Sequence, residues 1–165
     1  MTFDDVISIL LKREGGYVNN PADRGGPTNF GITQSTLNEY GNRHGWGYRD
    51  VRAINQQDAA AIYREKYWTP AKCDLLPDAV RDIHFDSAVN HGVQRAAYLL
   101  QESVGVTEDG SIGPATLAAV ASMSADLLRA RYRAARYRFY GRIIYRDRSQ
   151  LQFIAGWLHR MEDFA

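Results

Sequence analysis

The chain has 165 residues, close to the roughly 100 to 150 residues of a typical domain, which leaves no room for a second large domain. Hydrophobic residues make up 45% of the sequence and charged residues 24%, a composition that excludes a disordered chain. The formal net charge of +1 argues against a surface tuned throughout to polyanions, and the single cysteine, Cys73, excludes an internal disulfide and disfavours a cysteine-based zinc site.

The N-terminal residues do not have the pattern of a secretory signal, because Asp4 and Asp5 stand where a signal peptide is positively charged and the apolar run that follows is short. No stretch approaches the roughly 18 consecutive apolar residues of a membrane-spanning helix. We therefore expect synthesis in the cytoplasm without a signal peptide.

The first predicted element is an amphipathic helix with Thr2 or Asp4 as its cap. Glu14 continues its apolar face, and Gly15 and Gly16 end the helix. The apolar face has helical spacing and consists of Phe3, Val6, Ile7, Leu10 and Leu11.

Glu14 is the strongest candidate for acid chemistry, because the helical pattern places its carboxyl group partly out of water. A partly desolvated carboxyl group keeps its proton more readily, and a general acid needs that proton near neutral pH. The alternative is a structural glutamate that caps the helix or forms an ion pair with Arg13 or Arg24.

Residues 15–33 show no periodicity and are rich in glycine and proline, which predicts a long ordered loop or a small β-hairpin with 29–32 as a strand fragment. Asp23 lies nine residues after Glu14, and two carboxyl groups that face one gap are the minimum for cleaving a glycosidic bond. The Thr28 hydroxyl is a candidate for holding a water molecule between them. The alternative for Asp23 is an ordinary turn in which its side chain bonds its own backbone.

The rest of the chain is predicted to be mainly α-helical. Gly41 to Asp50 is predicted as a loop that carries Trp46 and Tyr48, and Gly92 is the candidate boundary between two lobes. The helices are predicted from a Thr33 cap to Tyr40, from an Asn55 cap to Tyr67, from Pro77 to Asn90, over Val93–Val104, from Pro114, over Ala125–Tyr145, and around Leu151, Ile154, Ala155 and Leu158.

Four stretches together closely resemble glycoside hydrolase family 108, the peptidoglycan muramidases found among phage endolysins and secretion activator proteins. They are Glu14-Gly-Gly-Tyr17, Asp23-Arg-Gly-Gly-Pro-Thr28-Asn-Phe-Gly-Ile-Thr33, Asp86-Ser-Ala-Val-Asn90-His-Gly92 and Phe153-Ile-Ala-Gly-Trp157-Leu-His-Arg160. The resemblance implies that Glu14 is the catalytic acid. Phage-type lysozymes also follow a helix-terminal glutamate with an aspartate nine residues on and a threonine, although the threonine here is one residue closer.

The resemblance implies a mainly α, lysozyme-like fold, with a catalytic lobe at 1–92 and a helical, peptidoglycan-binding lobe at 93–165 packed against it as one compact unit. It also implies hydrolysis of the β-1,4 bond between N-acetylmuramic acid and N-acetylglucosamine, with Asp23 and Thr28 assisting Glu14. A lytic transglycosylase is the alternative within the enzyme class. Action in the periplasm or cell wall would require export by a holin or secretion machinery.

Aromatic residues in or beside loops suit sugar rings, although core packing explains Trp68 equally well. Substrate contacts are predicted for three other aromatic residues, Tyr17, Trp46 and Tyr48. They are also predicted for three polar residues of the resembling stretches, Asn29, Asp86 and Asn90.

The stretch from Asp109 to Leu117 resembles the aspartate-glycine turn of small peptidoglycan-binding modules. Gly110, Gly113 and Pro114 equally well form the start of a helix without any ligand, and that structural interpretation is favoured.

The segment 126–148 carries eight arginines against two aspartates, with four interleaved tyrosines. This pattern supports a rival function, a non-enzymatic protein that binds nucleic acid or the cell wall through phosphate contacts and stacking. A solvated helix with arginines on several sides is the structural alternative, and no nucleic acid partner is expected. We expect neither a metal nor a cofactor, because the four histidines are dispersed and no phosphate-binding or dinucleotide motif occurs.

Overall fold

The computed structural model describes residues 1–19 and 26–165. The predicted mainly α, lysozyme-like fold with a small hairpin is confirmed. Backbone packing forms two compact units, Met1–Lys66 and Tyr67–Ala165. The described helices are α1 (Phe3–Glu14), α2 (Gln34–His44), α3 (Gln56–Tyr63), α4 (Asp78–His91), α5 (Val93–Val104), α6 (Pro114–Ala121), α7 (Ala125–Arg146) and α8 (Ile154–Glu162).

The first unit begins with α1, whose predicted apolar face is buried as a whole. Thr2 caps the helix: its hydroxyl accepts from the backbone N–H of Asp5, and the Asp5 carboxylate accepts from the backbone N–H of Thr2. Gly15 ends the helix in a conformation with a φ of +73°, which L side chains rarely adopt. The sequence therefore determines both ends of α1 locally.

A two-residue hairpin follows the segment that lies outside the described residues. Strands β1 (Thr28–Asn29) and β2 (Ile32–Thr33) pair antiparallel, with Asn29 opposite Ile32. Phe30 and Gly31 form the turn with φ angles of +52° and +72°, the combination that type I′ turns require. The predicted strand fragment 29–32 is thus wrong in its centre, because residues 30 and 31 reverse the chain instead of extending it.

The second unit is a helical core in which α5 packs against α4 and α7. Within the described residues, no helix combines the length and the apolar character needed to cross a bilayer. The buried apolar cluster consists of Leu76, Val80, Ile83, Ala97, Leu99, Leu100, Ile112, Val120, Leu128, Tyr132, Ala135, Tyr140, Met161 and Phe164. The lobe boundary predicted at Gly92 falls inside this unit, between α4 and α5, and stays a prediction about domains.

Several predicted helix boundaries are shifted. Helix α2 continues four residues beyond Tyr40 to His44, where Gly45 in the left-handed conformation ends it. Helix α3 ends at Tyr63 and is followed by a π-helical turn, Arg64–Trp68. Pro77 is the cap of α4 rather than its first residue.

The apolar face predicted for the last helix is correct at Ile154, which packs against the apolar cluster, and wrong at its other residues. Leu151 and Leu158 are 56% and 43% exposed, whereas Met161 and Phe164 are buried. Both sets of residues have helical spacing with Ile154, so periodicity alone fits either one.

Candidate functional site

Glu14 is the last residue of α1 and is half-buried. The buried face of the helix holds the preceding turn in the core of the first unit, and the backbone N–H of Gly15 donates to the carbonyl oxygen of Leu11 at 3.3 Å. The carboxyl group therefore projects from a rigid helix end, which suits a group that must be held in one orientation.

The hairpin turn lies directly beside this carboxyl group. A Cβ atom placed on Gly31 would be 3.0 Å from Oε2 of Glu14 and 2.6 Å from the hydroxyl oxygen of Tyr63. The Tyr63 hydroxyl donates to the carbonyl oxygen of Phe30 at 3.1 Å. Glu14 and Tyr63 thus converge on the turn, and the absence of a side chain at residue 31 makes their approach possible.

Neither Gly31 nor Tyr63 is predicted from the sequence as part of this site. Tyr63 lies on the buried side of α3, where a tyrosine is ordinarily a core residue. Gly31 belongs to a stretch with many glycines, and the close approach of two side chains distinguishes it from the other glycines that the structure describes there.

Asn29 fixes the hairpin to the segment before α3. Its Nδ2 atom donates to the carbonyl oxygens of Val51, Arg52 and Ile54 at 3.1, 3.3 and 3.3 Å, and the side chain is buried. These bonds give Asn29 a structural role in holding the hairpin. Its predicted contact with substrate stays a prediction.

Tyr17 lies three residues beyond Glu14 and is half-buried. The guanidinium carbon of Arg52 is 4.7 Å from the centre of its ring, and Nη2 of Arg52 donates to its hydroxyl oxygen at 3.0 Å. The stacked guanidinium orients the ring and adds a positive charge to this part of the first unit.

The loop after α2 carries the two other predicted aromatic contacts. Trp46 is half-buried, with Arg49 stacked on its ring at 4.7 Å and the ring of Tyr40 edge-on at 5.0 Å. Tyr48 is 79% exposed. Tyr48 is therefore accessible to a ligand in solution, whereas the ring of Trp46 is already packed within the protein.

Of the two predicted partners of Glu14, Thr28 lies in the hairpin beside it. Asp23 lies outside the described residues, as does Arg24. Thr28 is half-buried in β1, where its backbone N–H and carbonyl oxygen bond Val18 at 2.9 and 2.8 Å. The hairpin thereby gains a bridge to the loop that follows Glu14.

Asp86 and Asn90 lie on α4, in the second unit. The Asp86 carboxylate is buried between Nη2 of Arg136 at 2.6 Å and Nη2 of Arg160 at 2.7 Å. Burial acts to raise the pKa of Asp86, but the two guanidinium groups outweigh it and hold that pKa below its ordinary value. Asn90 is exposed and donates to the backbone carbonyl of Asp86 at 2.7 Å. Asp86 thus joins α4, α7 and α8, and its predicted contact with substrate stays a prediction.

The described residues contain no group of three or more side chains suited to hold a metal ion. Cys73 is buried, and its burial raises the pKa of the thiol to about 12. A thiol that stays protonated at physiological pH is a poor nucleophile.

The aspartate-glycine turn near residue 109 is held from within. The buried Gln101 donates through Nε2 to the carboxylate of Asp109 at 2.7 Å and accepts from the backbone N–H of Gly110 at 2.9 Å. Asp109 also accepts from the backbone N–H of Ser111 at 2.8 Å. These bonds support the structural interpretation of the turn.

The arginine-rich helix α7 does not present its charges as one continuous surface. Arg136 is fully buried, and Arg129 is ion-paired to α4. Arg138 and Arg142 both pair with Glu102 of α5, at 2.7 and 2.9 Å. Much of the charge that suggested nucleic acid binding is therefore neutralised within the protein.

Family comparison matches most of the chain. Residues 7–92 match the family described as Glycosyl hydrolase 108, and residues 95–162 match the family described as Predicted Peptidoglycan domain. No curated protein matches the chain.

Among solved structures, the chain is similar to SagA from Brucella abortus. The two chains are 36% identical, with a TM-score of 0.81, and the alignment covers 98% of this chain and 90% of the SagA chain. The likeness therefore extends over both units.

Proposed function

Since the chain belongs to glycosyl hydrolase family 108, we propose that it is an N-acetylmuramidase that hydrolyses the β-1,4 bond between N-acetylmuramic acid and N-acetylglucosamine in peptidoglycan. One observation carries the proposal: a half-buried carboxyl group, Glu14, is held at a helix end against a tight hairpin turn. The match of residues 95–162 to a predicted peptidoglycan domain supports the same substrate.

In this mechanism Glu14 donates its proton to the glycosidic oxygen as the bond between that oxygen and the anomeric carbon breaks. The sugar ring passes through an oxocarbenium-like transition state, and a second carboxylate is required on the opposite face. We assign that role to Asp23, with Thr28 assisting. A carboxyl separation of about 5 to 5.5 Å would favour a covalent retaining route, and roughly 6.5 to 9.5 Å would leave room for an inverting water.

The decisive variant is Glu14→Gln, which keeps the shape of the side chain and removes the proton. We expect release of reducing ends from purified peptidoglycan to fall at least about 100-fold, as is usual when a general acid is lost. Glu39→Gln is the matched control, since Glu39 is exposed on α2 of the same unit. Circular dichroism should show both variants folded. A Glu14→Gln protein that digests peptidoglycan at the unmodified rate would contradict the proposal.

The products separate the two reactions open to this enzyme class. A muramidase leaves N-acetylmuramic acid as a reducing end, because water adds to the anomeric carbon. A transglycosylase leaves 1,6-anhydro-muramic acid, because the sugar's own hydroxyl attacks instead. Mass spectrometry of the digest distinguishes them by the mass of one water molecule, and we expect the hydrated product.

The proposed substrate also sets the place of action. Peptidoglycan lies outside the inner membrane, so a protein made in the cytoplasm must be exported, by a holin or by secretion machinery, to act in the periplasm or cell wall. Fractionation of producing cells should find the protein with the wall when the export route is active.

A further inference from the structure

One side of α7 forms an open depression that the proposed mechanism does not use. It has a volume of about 480 Å³ and lies wholly within the second unit. Its lining residues recur at three- and four-residue spacing on the helix and are Arg138, Gly141, Arg142, Tyr145 and Arg146. We refer to these five residues as the α7 shelf.

Tyr145 is the most exposed large side chain of the shelf, at 88%. An aromatic ring left in water forgoes the favourable free energy of burial, so its exposure needs a reason. The flat face of a tyrosine ring is suited to stack on a sugar ring. Tyr132 and Tyr140, on the same helix, are by contrast buried. Tyr137 is 39% exposed, so Tyr145 is the most exposed of the four tyrosines on α7.

Gly141 forms the floor of the shelf, one helical turn before Tyr145. Glycine in a helix interior costs about 1 kcal/mol relative to alanine, so residue 141 does not serve the stability of α7. A Cβ atom at this position would have no atom within 4 Å. The glycine thus leaves open space where almost any other residue would fill it.

The charge of the shelf is positive and fixed in place. Glu102 of α5 accepts from Nε of Arg138 and Nη2 of Arg142, so one carboxylate orients two guanidinium groups. Burial acts to raise the pKa of Glu102, but these two arginines hold it below its ordinary value, so the carboxylate stays ionised. Arg146 forms no ion pair with the residues that the structure describes, which leaves an excess of cations over the single anion.

We propose that the α7 shelf binds a muramyl peptide of the cell wall, with Tyr145 stacked on a sugar ring and the arginines paired to carboxylates of the stem peptide. The proposal rests on the proposed peptidoglycan substrate and adds a binding site to it. A compact site with one aromatic ring and a few guanidinium groups matches an uncharged glycan chain whose stem peptides carry carboxylates at intervals. A nucleic acid would favour a longer track of free cations, which the internal ion pairs of α7 do not leave.

The test measures co-sedimentation with purified sacculi, using Glu14→Gln as the background so that the wall is not digested. We expect Tyr145→Ala and Arg146→Glu each to weaken binding about tenfold. Gly141→Leu should also weaken binding while raising the melting temperature, because leucine fills the shelf and favours the helix. Tyr137→Ala is the matched control, being a 39% exposed tyrosine on the same helix, and should bind as before.

Two further probes identify what the shelf recognises. An amidase can remove the stem peptides from sacculi. The Glu14→Gln protein should bind these sacculi about as weakly as the Arg146→Glu variant binds intact sacculi. Unchanged binding of the shelf variants to intact sacculi would overturn the proposal. So would tighter, steeply salt-dependent binding to single-stranded DNA that the same variants abolish. Reducing-end release by Glu14→Gln tests the hydrolase proposal separately, so a failure of the hydrolase proposal is distinguishable from a failure of the proposed binding at the α7 shelf.

Discussion

Oε2 of Glu14 lies 3.0 Å from the point that a Cβ atom on Gly31 would occupy, although Gly31 comes 17 positions later in the chain. The Tyr63 hydroxyl oxygen lies still closer to that point, at 2.6 Å. A real Cβ atom essentially never lies 2.6 Å from another heavy atom, and 3.0 Å is tighter than most real Cβ contacts, so a side chain at residue 31 would displace the Tyr63 hydroxyl and press on the Glu14 carboxyl group. The turn residue is therefore part of the site geometry, even though it carries no functional group.

Replacing Gly31 by alanine should damage both the turn and the candidate site. Left-handed backbone costs a non-glycine residue roughly 1 to 2 kcal/mol, and displacement of Tyr63 or Glu14 adds to it. We expect a lower free energy of unfolding in urea titrations and at least about a tenfold loss of peptidoglycan hydrolysis.

Gly45→Ala separates these two effects. Gly45 has a φ of +67°, and a Cβ atom there would meet nothing within 4 Å. This control carries the backbone penalty without the collision, so it should lose a similar part of the stability and keep its activity. Equal activity of the two variants would show that the crowding at Gly31 has no bearing on the reaction.

Asn29→Asp tests whether the hairpin is fixed by the three carbonyl oxygens that Asn29 bonds. Aspartate replaces the amide donor with a carboxylate oxygen, which can only accept, facing those carbonyl oxygens. Buried polar groups left unpaired lower the free energy of unfolding by about 1 to 3 kcal/mol, and by more where one of them is charged. Urea titration should show that loss, with Asn42→Asp, an exposed substitution on α2, as the control. Full stability combined with weakened substrate binding would instead support the predicted substrate contact.

The sequence predicted those features that depend on neighbours three or four residues apart. The cap at Asn55, the start of the first helix at Thr2 or Asp4 and the buried face of α1 are of this kind, because a helix brings such residues together independently of the rest of the chain. In the last helix, helical periodicity alone does not determine which apolar residues are buried. Two apolar sets share its periodicity, and only packing in the second unit selects Met161 over Leu158 for burial.

The candidate site was predictable in part for the same reason. Glu14 is found from the helix pattern and the family motif, whereas the approach of Gly31 and Tyr63 depends on contacts between distant segments. Asp86 shows the opposite case. It stands in a stretch that resembles the family, yet no local pattern indicates that its carboxylate would be buried between two arginines from other helices.

Asp86→Asn should act mainly on stability, because it leaves Arg136 and Arg160 without their buried counter-charge. Breaking a buried ion pair from one side typically costs about 3 to 5 kcal/mol. Urea titration should show a loss of this size. Asp78→Asn is the matched control on the same helix, where the aspartate is exposed and its ion pair with Arg81 is worth at most about 1 kcal/mol. If Asp86→Asn lost activity but not stability, the predicted substrate role would be supported over the structural one.

His84 should make the second unit lose stability in mild acid. The side chain is fully buried, and burial lowers its pKa to about 4 from the ordinary value near 6.5. Its Nε2 atom lies 3.0 Å from the carbonyl oxygen of Ala71, which can only accept, so the neutral ring donates there and Nδ1 accepts from the hydroxyl of Tyr132. An added proton would displace that hydroxyl hydrogen bond and place a charge in the core.

The sign of the effect follows from proton uptake. Between pH 6.5 and 4 the unfolded chain binds a proton at His84 that the folded chain does not, so stability is full above pH 6.5, falls as the pH is lowered, and levels off below 4. The loss amounts to about 3 kcal/mol. His91, whose pKa burial also lowers to about 4, adds to the same slope.

Urea titrations at several pH values should therefore compare the unmodified chain with His84→Gln, whose stability should depend less steeply on pH over this range. Identical slopes for His84→Gln and the unmodified chain would contradict the burial argument.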